Sequence, residues 1–317
     1  MREFSSIFVA EIKDYLKYRE AFGFTTRSYE VLLGAFDRFC CEIKPQTNCL
    51  TRQLVLDWLA KESEKSGTHY KADAIRQFGK FLADSGKTAY VLPANFVKET
   101  STFTPYIMTN AELTAFFNAV DSIKPNRYDN RKQIIFPVLF RLLYTCGLRP
   151  NEGRELKTTG INFTTGEIFI RHNKQKKERI VVMSKNMLEM CCEYAESRKT
   201  FANGSEYFFP SPNGKPYTPV RLYNIFKKCW KSANPDISDV ELPSARPYDL
   251  RHRFASEVMH RLLGEGKDLY AALPYLRTYM GHENFSSTAY YIHLMPENLV
   301  KSSGIDMSAF ENIIPEV

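Results

Sequence analysis

Apolar residues recur at helical spacing through the first 92 residues of the chain. The clearest stripe has steps of mostly three and four residues, which puts one apolar face on a helix: Tyr29, Leu32, Leu33, Phe36 and Phe39. Shorter stripes of the same kind begin at Ile7, Val55 and Ala72. Four or five short helices of this kind predict a small helical domain over residues 1–92.

The helical period is lost over residues 93–106, which carry two prolines and are typical of an extended linker. A second domain is predicted over residues 107–295. Thr109 and Glu112 form a capping-box pair, which places the start of its first helix.

A break between two helices is predicted just after residue 146. Residues 133–146 form an apolar helical pattern that Pro137 interrupts, so we expect a kink or a late start there. Gly147 suits the C-terminal cap of this helix, and Pro150 suits the first turn of the next one.

Residues 161–183 alternate between apolar and polar positions in the manner of strands, with turn signals at residues 165–166 and 174–177. Helical patterns then return at residues 185–198, 219–232, 248–262, 268–280 and 286–293. The expected fold class is therefore mainly α with a small three-stranded antiparallel sheet.

Composition narrows the class of protein. The chain has 317 residues, 44% of them hydrophobic, which suits about two domains with buried cores. No apolar run approaches the roughly 20 residues of a membrane helix, and the first ten residues do not resemble a signal peptide, so a cytoplasmic protein is expected. The seven cysteines lack the Cys-x-x-Cys spacing of zinc sites, so we expect reduced thiols and no metal site.

The net charge of +7 permits an acidic partner without proving one. The most concentrated basic run falls within nine residues and is opposed only by a glutamate: Arg171, Lys174, Lys176, Lys177 and Arg179. A charge run is often just a solvated surface, so this run by itself leaves both DNA contact and plain exposure open.

Several motifs of the second domain carry residues suited to phosphate chemistry. In chain order they contain Arg149 with Glu152, Tyr248 with Arg251 and His252, His282 after a glycine, and Tyr291. Each also has an ordinary interpretation, as a helix ion pair, a packed histidine, a helix cap or a core aromatic residue. Guanidinium groups stand out because their planar forks bind two phosphate oxygens at once and stay charged.

In their order and spacing over residues 105–295, these motifs resemble those of the tyrosine recombinases, the phage-integrase and Xer-like family of DNA strand-exchange enzymes. The resemblance implies that Arg149 and Arg251 bind the scissile phosphate, that His282 hydrogen-bonds it, and that Tyr291 attacks it. Tyr291 lies nine residues after His282, the family's usual separation, whereas Tyr290 would face about 100° away on a helix.

The same resemblance assigns the general acid of the cleavage reaction. By register, Lys174 takes the place of the lysine that protonates the leaving 5′-oxygen, with Lys176 and Lys177 as competitors. Together with Arg171 and Arg179, these two lysines are expected to contact DNA.

Two further positions complete the expected catalytic residues. Glu152 matches the acidic residue that supports the site in this family, and His252 is expected to support it too. Tyr248 stands where the family most often has histidine, and we keep it as a catalytic candidate. A phenol with an ordinary pKa of about 10 is a poorer proton shuttle near neutrality than an imidazole.

The resemblance implies a site-specific DNA recombinase or integrase, nearest to those of bacterial mobile elements. Tyr291 would form a 3′-phosphotyrosyl link, a Holliday junction would follow, and no metal or other cofactor would be needed. The implied partners are double-stranded DNA with inverted-repeat core sites and further copies of the chain, in a tetramer on that DNA. Residues 1–92 would be the core-binding domain, and residues 296–317 a tail that docks on its own domain or on a neighbouring subunit.

Four other functions stay open at this point. A type IB topoisomerase uses the same chemistry without pairing two sites, and Tyr248 leaves room for a catalytically impaired DNA-binding relative. A helical transcription regulator would not explain the convergence of phosphate-binding residues on a tyrosine. A metal-dependent nuclease would need a cluster of acidic ligands, which the sequence does not suggest.

Overall fold

The computed structural model describes residues 3–62, 67–94, 96–97, 105–125, 129–171, 178–202, 204–282, 284 and 288. The chain divides into two compact units, with the boundary between Phe103 and Thr104. In unit 1 the described residues form four helices: α1 (Val9–Ala21), α2 (Arg27–Ile43), α3 (Arg52–Glu62) and α4 (Thr68–Asp84). Each of the four predicted apolar stripes therefore lies on a helix.

The core of unit 1 is built from aromatic side chains of these helices. Phe36 on α2 meets Trp58 on α3 edge to face, with ring centroids 5.3 Å apart, and Phe78 on α4 packs against Phe36. All three rings are fully buried. Burial of this much apolar surface explains how a small helical unit stays folded.

The helices of unit 2 are α5 (Asn110–Asp121), α6 (Lys132–Thr145), α7 (Pro150–Arg154), α8 (Lys185–Arg198), α9 (Pro219–Ala233), α10 (Pro247–Gly264) and α11 (Leu269–Met280) among the described residues. Helix α6 is the centre of the core, because α5, α8 and α10 all pack against it. Its Phe140 contacts Phe116 on α5 and Phe226 on α9. Pro137 lies inside α6 and not at its start.

Local capping signals place the helix ends of unit 2. The side chain of Thr109 accepts a hydrogen bond from the Glu112 N–H, and the Glu112 carboxylate accepts one from the Thr109 N–H, as the capping box predicted. Gly147 follows α6 with a φ of +60°, and Pro150 is the first residue of α7. These caps set the short α6–α7 turn that presents Arg149.

The sheet of unit 2 is smaller than expected. Strand β1 (Glu167–Ile170) pairs with β2 (Arg179–Val182) in antiparallel register, and these two strands form a two-stranded sheet in the described part of the chain. The expected third strand is reduced to one bridge between Ile161 and Ile168. Residues 172–177, which join β1 and β2, lie outside the described residues.

Helices α8 to α11 lie where the later helical patterns predicted them. The expected helix at 286–293, apart from residue 288, and the tail at 296–317 lie outside the described residues, as do residues 98–104 of the expected linker. All seven cysteines are unpaired thiols, and among the described residues no helix is long and apolar enough to cross a membrane.

Candidate active site

The first arginine of the site lies in the turn between α6 and α7. The Arg149 N–H donates to Glu152 Oε2 at 2.8 Å, and the Arg149 Nη1 donates to Glu152 Oε1 at 2.8 Å. The side chain of Arg149 keeps 26% exposure, against 7% for Glu152. Burial alone would lower the pKa of Arg149, but the Glu152 carboxylate and the Tyr248 side chain outweigh it and raise that pKa. Arg149 is thus an oriented cation with one side open.

Arg179 reaches the same carboxylate from the start of β2. Its Nη1 and Nη2 donate to Glu152 Oε1 and Oε2, both at 2.8 Å, and its Nε donates to the carbonyl of Tyr279 at 2.9 Å. Burial would raise the pKa of Glu152, but bonds from Arg179 and Arg149 hold it down at about 2. Glu152 is therefore a carboxylate shared by two guanidinium groups.

The expected contact of Arg179 with DNA stays a prediction, and it differs from the contacts that Arg179 makes in this arrangement. The side chain of Arg179 is 8% exposed, and each of its three guanidinium nitrogens donates to the protein. The strand pattern explains the difference: Arg179 and the buried Val181 share one face of β2, while Ile180 and Val182 are exposed.

The second arginine, Arg251, lies in the first turns of α10 and is fully buried. Its Nη1 donates to the carbonyl of Gly147, and its Nη2 donates to the carbonyl of Met280. Gly147 has a φ of +60°, in the left-handed region that favours glycine. A Cβ at this position would lie 2.5 Å from Cδ1 of Phe254, so the turn requires glycine on two counts.

His282 follows α11 and faces the same cluster. Its Nδ1 lies 2.8 Å from the hydroxyl of Thr288, whose side chain is fully buried. Burial, followed by the charges of Arg251 and Arg149, lowers the pKa of His282 to about 3. The imidazole is therefore neutral near pH 7, and a Thr288 hydroxyl that donates to Nδ1 would leave the proton on Nε2.

Tyr248 and His252 stand one turn apart on α10, with ring centroids 5.0 Å apart. The Tyr248 side chain interacts with Arg149. Burial, followed by the charge of Arg251, lowers the pKa of His252 to about 4, so this imidazole is also neutral near pH 7. The structure thus places both residues beside the arginine cluster.

The C-terminal end of α11 holds the cluster together. Gly281, with a φ of +63°, closes the helix, and the His282 N–H donates to the Arg277 carbonyl at 3.0 Å. The carbonyls that a helix end leaves without helical partners are used by the arginines: Tyr279 O by Arg179, Met280 O by Arg251 and Gly281 O by Arg149. The negative end of the helix dipole favours cations at this place.

The remaining sequence candidates divide into two groups. Arg171 is exposed at the end of β1, with its guanidinium 5.2 Å from the ring centre of Phe169. Lys174, Lys176, Lys177 and Tyr291 lie outside the described residues. Sequence reasoning gave no role to Thr288, although this residue lies in the motif that leads from His282 to Tyr291. It gave none to the carbonyls of α11, because main-chain carbonyls carry no sequence signal. No group of His, Cys, Asp and Glu that could hold a metal ion occurs in the described part of the chain.

Comparison with known proteins gives a consistent result. Residues 107–298 match the model of the phage integrase family. A Sinorhizobium fredii protein with the provisional name integrase/recombinase is 27% identical over 298 residues, which are 92% of this chain and 93% of that protein.

Two solved structures share the fold. The XerH site-specific recombinase bound to its difH substrate superposes with a TM-score of 0.66 at 18% identity, over 93% of this chain and 83% of XerH. The Tn1549 transposon integrase in complex with transposon right-end DNA gives 0.64 at 16% identity, over 95% of this chain and 99% of the integrase chain.

Proposed function

This chain belongs to the phage integrase family, and from that premise we propose that it is a site-specific DNA recombinase. It cuts and rejoins DNA strands through a covalent 3′-phosphotyrosyl intermediate on Tyr291. Its substrate is double-stranded DNA with inverted-repeat core sites. The working form is a tetramer on two such sites, and strand exchange passes through a Holliday junction.

One observation carries the proposal. Arg149, Arg251 and His282 come from three separate parts of unit 2 and converge at the end of α11, where Arg149 and Arg251 each lower the pKa of His282. Two guanidinium groups and a neutral imidazole are the donors that a phosphodiester needs on its non-bridging oxygens. The sequence places Tyr291 nine residues after His282, so the nucleophile follows the phosphate site directly.

The chemistry balances without an energy source. The Tyr291 hydroxyl gives its proton to water as its oxygen bonds to phosphorus and the bond to the 5′-oxygen breaks. Lys174 protonates that leaving oxygen and then regains a proton from water. The phosphotyrosyl bond keeps the energy of the bond that was broken, so a 5′-hydroxyl from another strand rejoins it. Arg149 and Arg251 neutralise the charge that a divalent ion neutralises in metal-dependent enzymes, so the reaction needs no metal.

Three supporting roles complete the site. Glu152 orients Arg149 by accepting from both its backbone and its side chain. Tyr248, beside Arg149, hydrogen-bonds the phosphate in place of the histidine that is usual in the family. His252 is held neutral next to Tyr248 and packs against it.

Contacts with the DNA backbone supply most of the affinity. Arg171 and the lysines at positions 174, 176 and 177 supply positive charge for these contacts. Unit 1 also binds the core site. Binding should therefore weaken as salt rises, because each neutralised phosphate releases counterions.

The decisive experiment is a covalent trapping assay on a nicked suicide duplex that carries the native site. Wild-type protein should give an SDS-resistant adduct, and Tyr291→Phe should give none while still binding DNA. Tyr290→Phe is the matched control and should retain the adduct. Arg149→Lys and Arg251→Lys keep the charge but lose the fork, so cleavage should fall at least about a hundredfold.

Other outcomes would point elsewhere. An adduct from Tyr291→Phe would move the nucleophile to another residue. DNA binding by the wild type without any adduct would favour a catalytically impaired relative, since Tyr248 stands where the family most often has histidine. Supercoil relaxation without exchange between paired sites would favour a type IB topoisomerase.

A further inference from the structure

Glu152 poses an electrostatic problem for the first phosphate-binding arginine. Its carboxylate bonds the Arg149 guanidinium at 2.8 Å, and both side chains are largely shielded from water. A carboxylate this close would offset the positive charge that Arg149 must offer to a phosphate. The geometry contains a second cation that resolves this conflict.

That cation is Arg179. It binds both oxygens of Glu152 in a bidentate pair, with 8% exposure for Arg179 and 7% for Glu152. Two guanidinium groups and one carboxylate leave one net positive charge in the trio. Arg179 has its own nitrogens committed to the protein, so the remaining charge is available at Arg149, the more exposed of the two arginines.

Arg179 also supports the position of Arg149 through contacts at the C-terminal end of α11. Its Nε bonds the Tyr279 carbonyl, and a Cβ on Gly281 would lie 3.2 Å from its Cδ and Nη1. The carbonyl of that same glycine accepts from Arg149 Nη2. Arg179 thus touches both groups that hold Arg149, the Glu152 carboxylate and the Gly281 turn.

We propose that Arg179 is a positioning residue that neutralises Glu152, so that Arg149 keeps both its place and its charge for the DNA phosphate. The inference rests on the proposed function for the identity of the bound group. It assigns Arg179 no contact with DNA, although the residue ends the most basic run of the chain. Arg179 acts through Glu152, and that dependence can be measured.

The first test is a double-mutant cycle in the covalent trapping assay. Arg179→Gln leaves the carboxylate to neutralise Arg149, and cleavage should fall by about a hundredfold, as for a misplaced catalytic group. Adding Glu152→Gln removes the offending charge, so the double variant should cleave faster than Arg179→Gln alone. A double variant as slow as the single one, or slower, would overturn the proposal.

A second comparison does not need the Arg179→Gln single variant to fold. If Arg179 acts only through Glu152, the double variant should cleave at nearly the rate of Glu152→Gln alone. A double variant far slower than Glu152→Gln would show that Arg179 has a role apart from neutralising Glu152, and would overturn the proposal that it acts through this carboxylate. Thermal melts of each protein confirm that the compared variants are folded.

The third test measures binding to plain duplex DNA across a salt series, and it does not depend on cleavage. A residue that contacts one phosphate contributes about 0.9 to the slope of log K against log salt. Arg171→Gln, at the exposed end of β1, is the matched control and should lower the slope by this amount. In the double variant Arg149 keeps its charge because the carboxylate is gone, so this variant should leave the slope unchanged, and a drop of about 0.9 would refute the positioning role.

The outcomes separate this inference from the proposed function. If wild-type protein forms no adduct with a native site, the recombinase proposal fails, and the salt series still decides whether Arg179 contacts DNA. If wild-type protein forms the adduct but the cycle shows no dependence on Glu152, the recombinase proposal stands and the role of Arg179 is refuted.

Discussion

Replacing Glu152 by glutamine should destabilise unit 2 and should do so in a pH-dependent way. Glutamine keeps the shape of the side chain but removes the charge that binds Arg149 and Arg179. Both guanidinium groups would then face each other without a carboxylate between them. The amide nitrogen of glutamine would also present a donor where two further donors already point.

The size of the loss follows from the lowered pKa of Glu152. A shift from 4.5 to about 2 corresponds to roughly 3 kcal/mol in the free energy of unfolding at pH 7, at about 1.4 kcal/mol per pKa unit. Removing one partner of a buried ion pair generally lowers the free energy of unfolding by about 3–5 kcal/mol, because the other charge is left buried alone. The two routes agree on a loss of about 3 kcal/mol.

The sign of the pH dependence is set by the direction of the shift. The folded protein holds Glu152 ionised to lower pH than the unfolded chain does, so this stabilisation is complete above about pH 4.5 and is lost as pH falls toward 2. At pH 3 the carboxylate is protonated in most unfolded chains, and the difference between wild type and variant should shrink to about 1.4 kcal/mol.

Urea unfolding followed by tryptophan fluorescence measures this difference. Trp58 lies in unit 1 and Trp230 in the core of unit 2, so a Trp58→Phe background makes the signal report unit 2 alone. Glu155→Gln is the matched control, because that carboxylate is 52% exposed in its pair with Arg154. An exposed pair contributes about 1 kcal/mol or less. A loss for Glu152→Gln no larger than for this control would refute the bridging role.

Four further outcomes are expected. If Lys174 is the acid, a 5′-bridging phosphorothiolate substrate should restore cleavage by Lys174→Ala, since a thiolate leaves without protonation; failure of rescue would move the role along the hairpin. Gly147→Ala should lower the melting temperature, because its Cβ would lie 2.5 Å from Phe254 at a φ of +60°, and an unchanged melt would contradict the described turn. Thr288→Val should slow cleavage more than it weakens DNA binding, since it removes the hydroxyl beside His282 Nδ1; equal effects would argue against tautomer control. The pKa of His282 falls to about 3 in the folded protein, so below pH 6.5 the unfolded chain binds a proton that the folded protein does not. From pH 6 to pH 5 the free energy of unfolding of the wild type should therefore fall by about 1 kcal/mol more than that of His282→Phe. Parallel pH profiles of unfolding for the two proteins would contradict this.

Much of the fold could be predicted because its signals are local. The capping pair of Thr109 and Glu112 and the turn residues Gly147 and Pro150 act over a few residues, and the structure confirms them. The expected third strand is reduced to a single bridge, because alternation of apolar and polar residues does not by itself provide a neighbouring strand to pair with. Near Ile161 the chain makes one bridge and then turns away.

The sequence by itself determined which chemical groups the chain carries, in what order, and on which helices most of them lie. Only the tertiary structure decided how those groups meet. Arg149 reaches Gly281 across 132 residues, Arg251 reaches Gly147 across 104, and Arg179 reaches Tyr279 across 100. No local pattern encodes such pairings, because main-chain carbonyls have no sequence signature. Two arginines of the same charge therefore receive different positions, with Arg149 left partly open to solvent and Arg179 closed against Glu152.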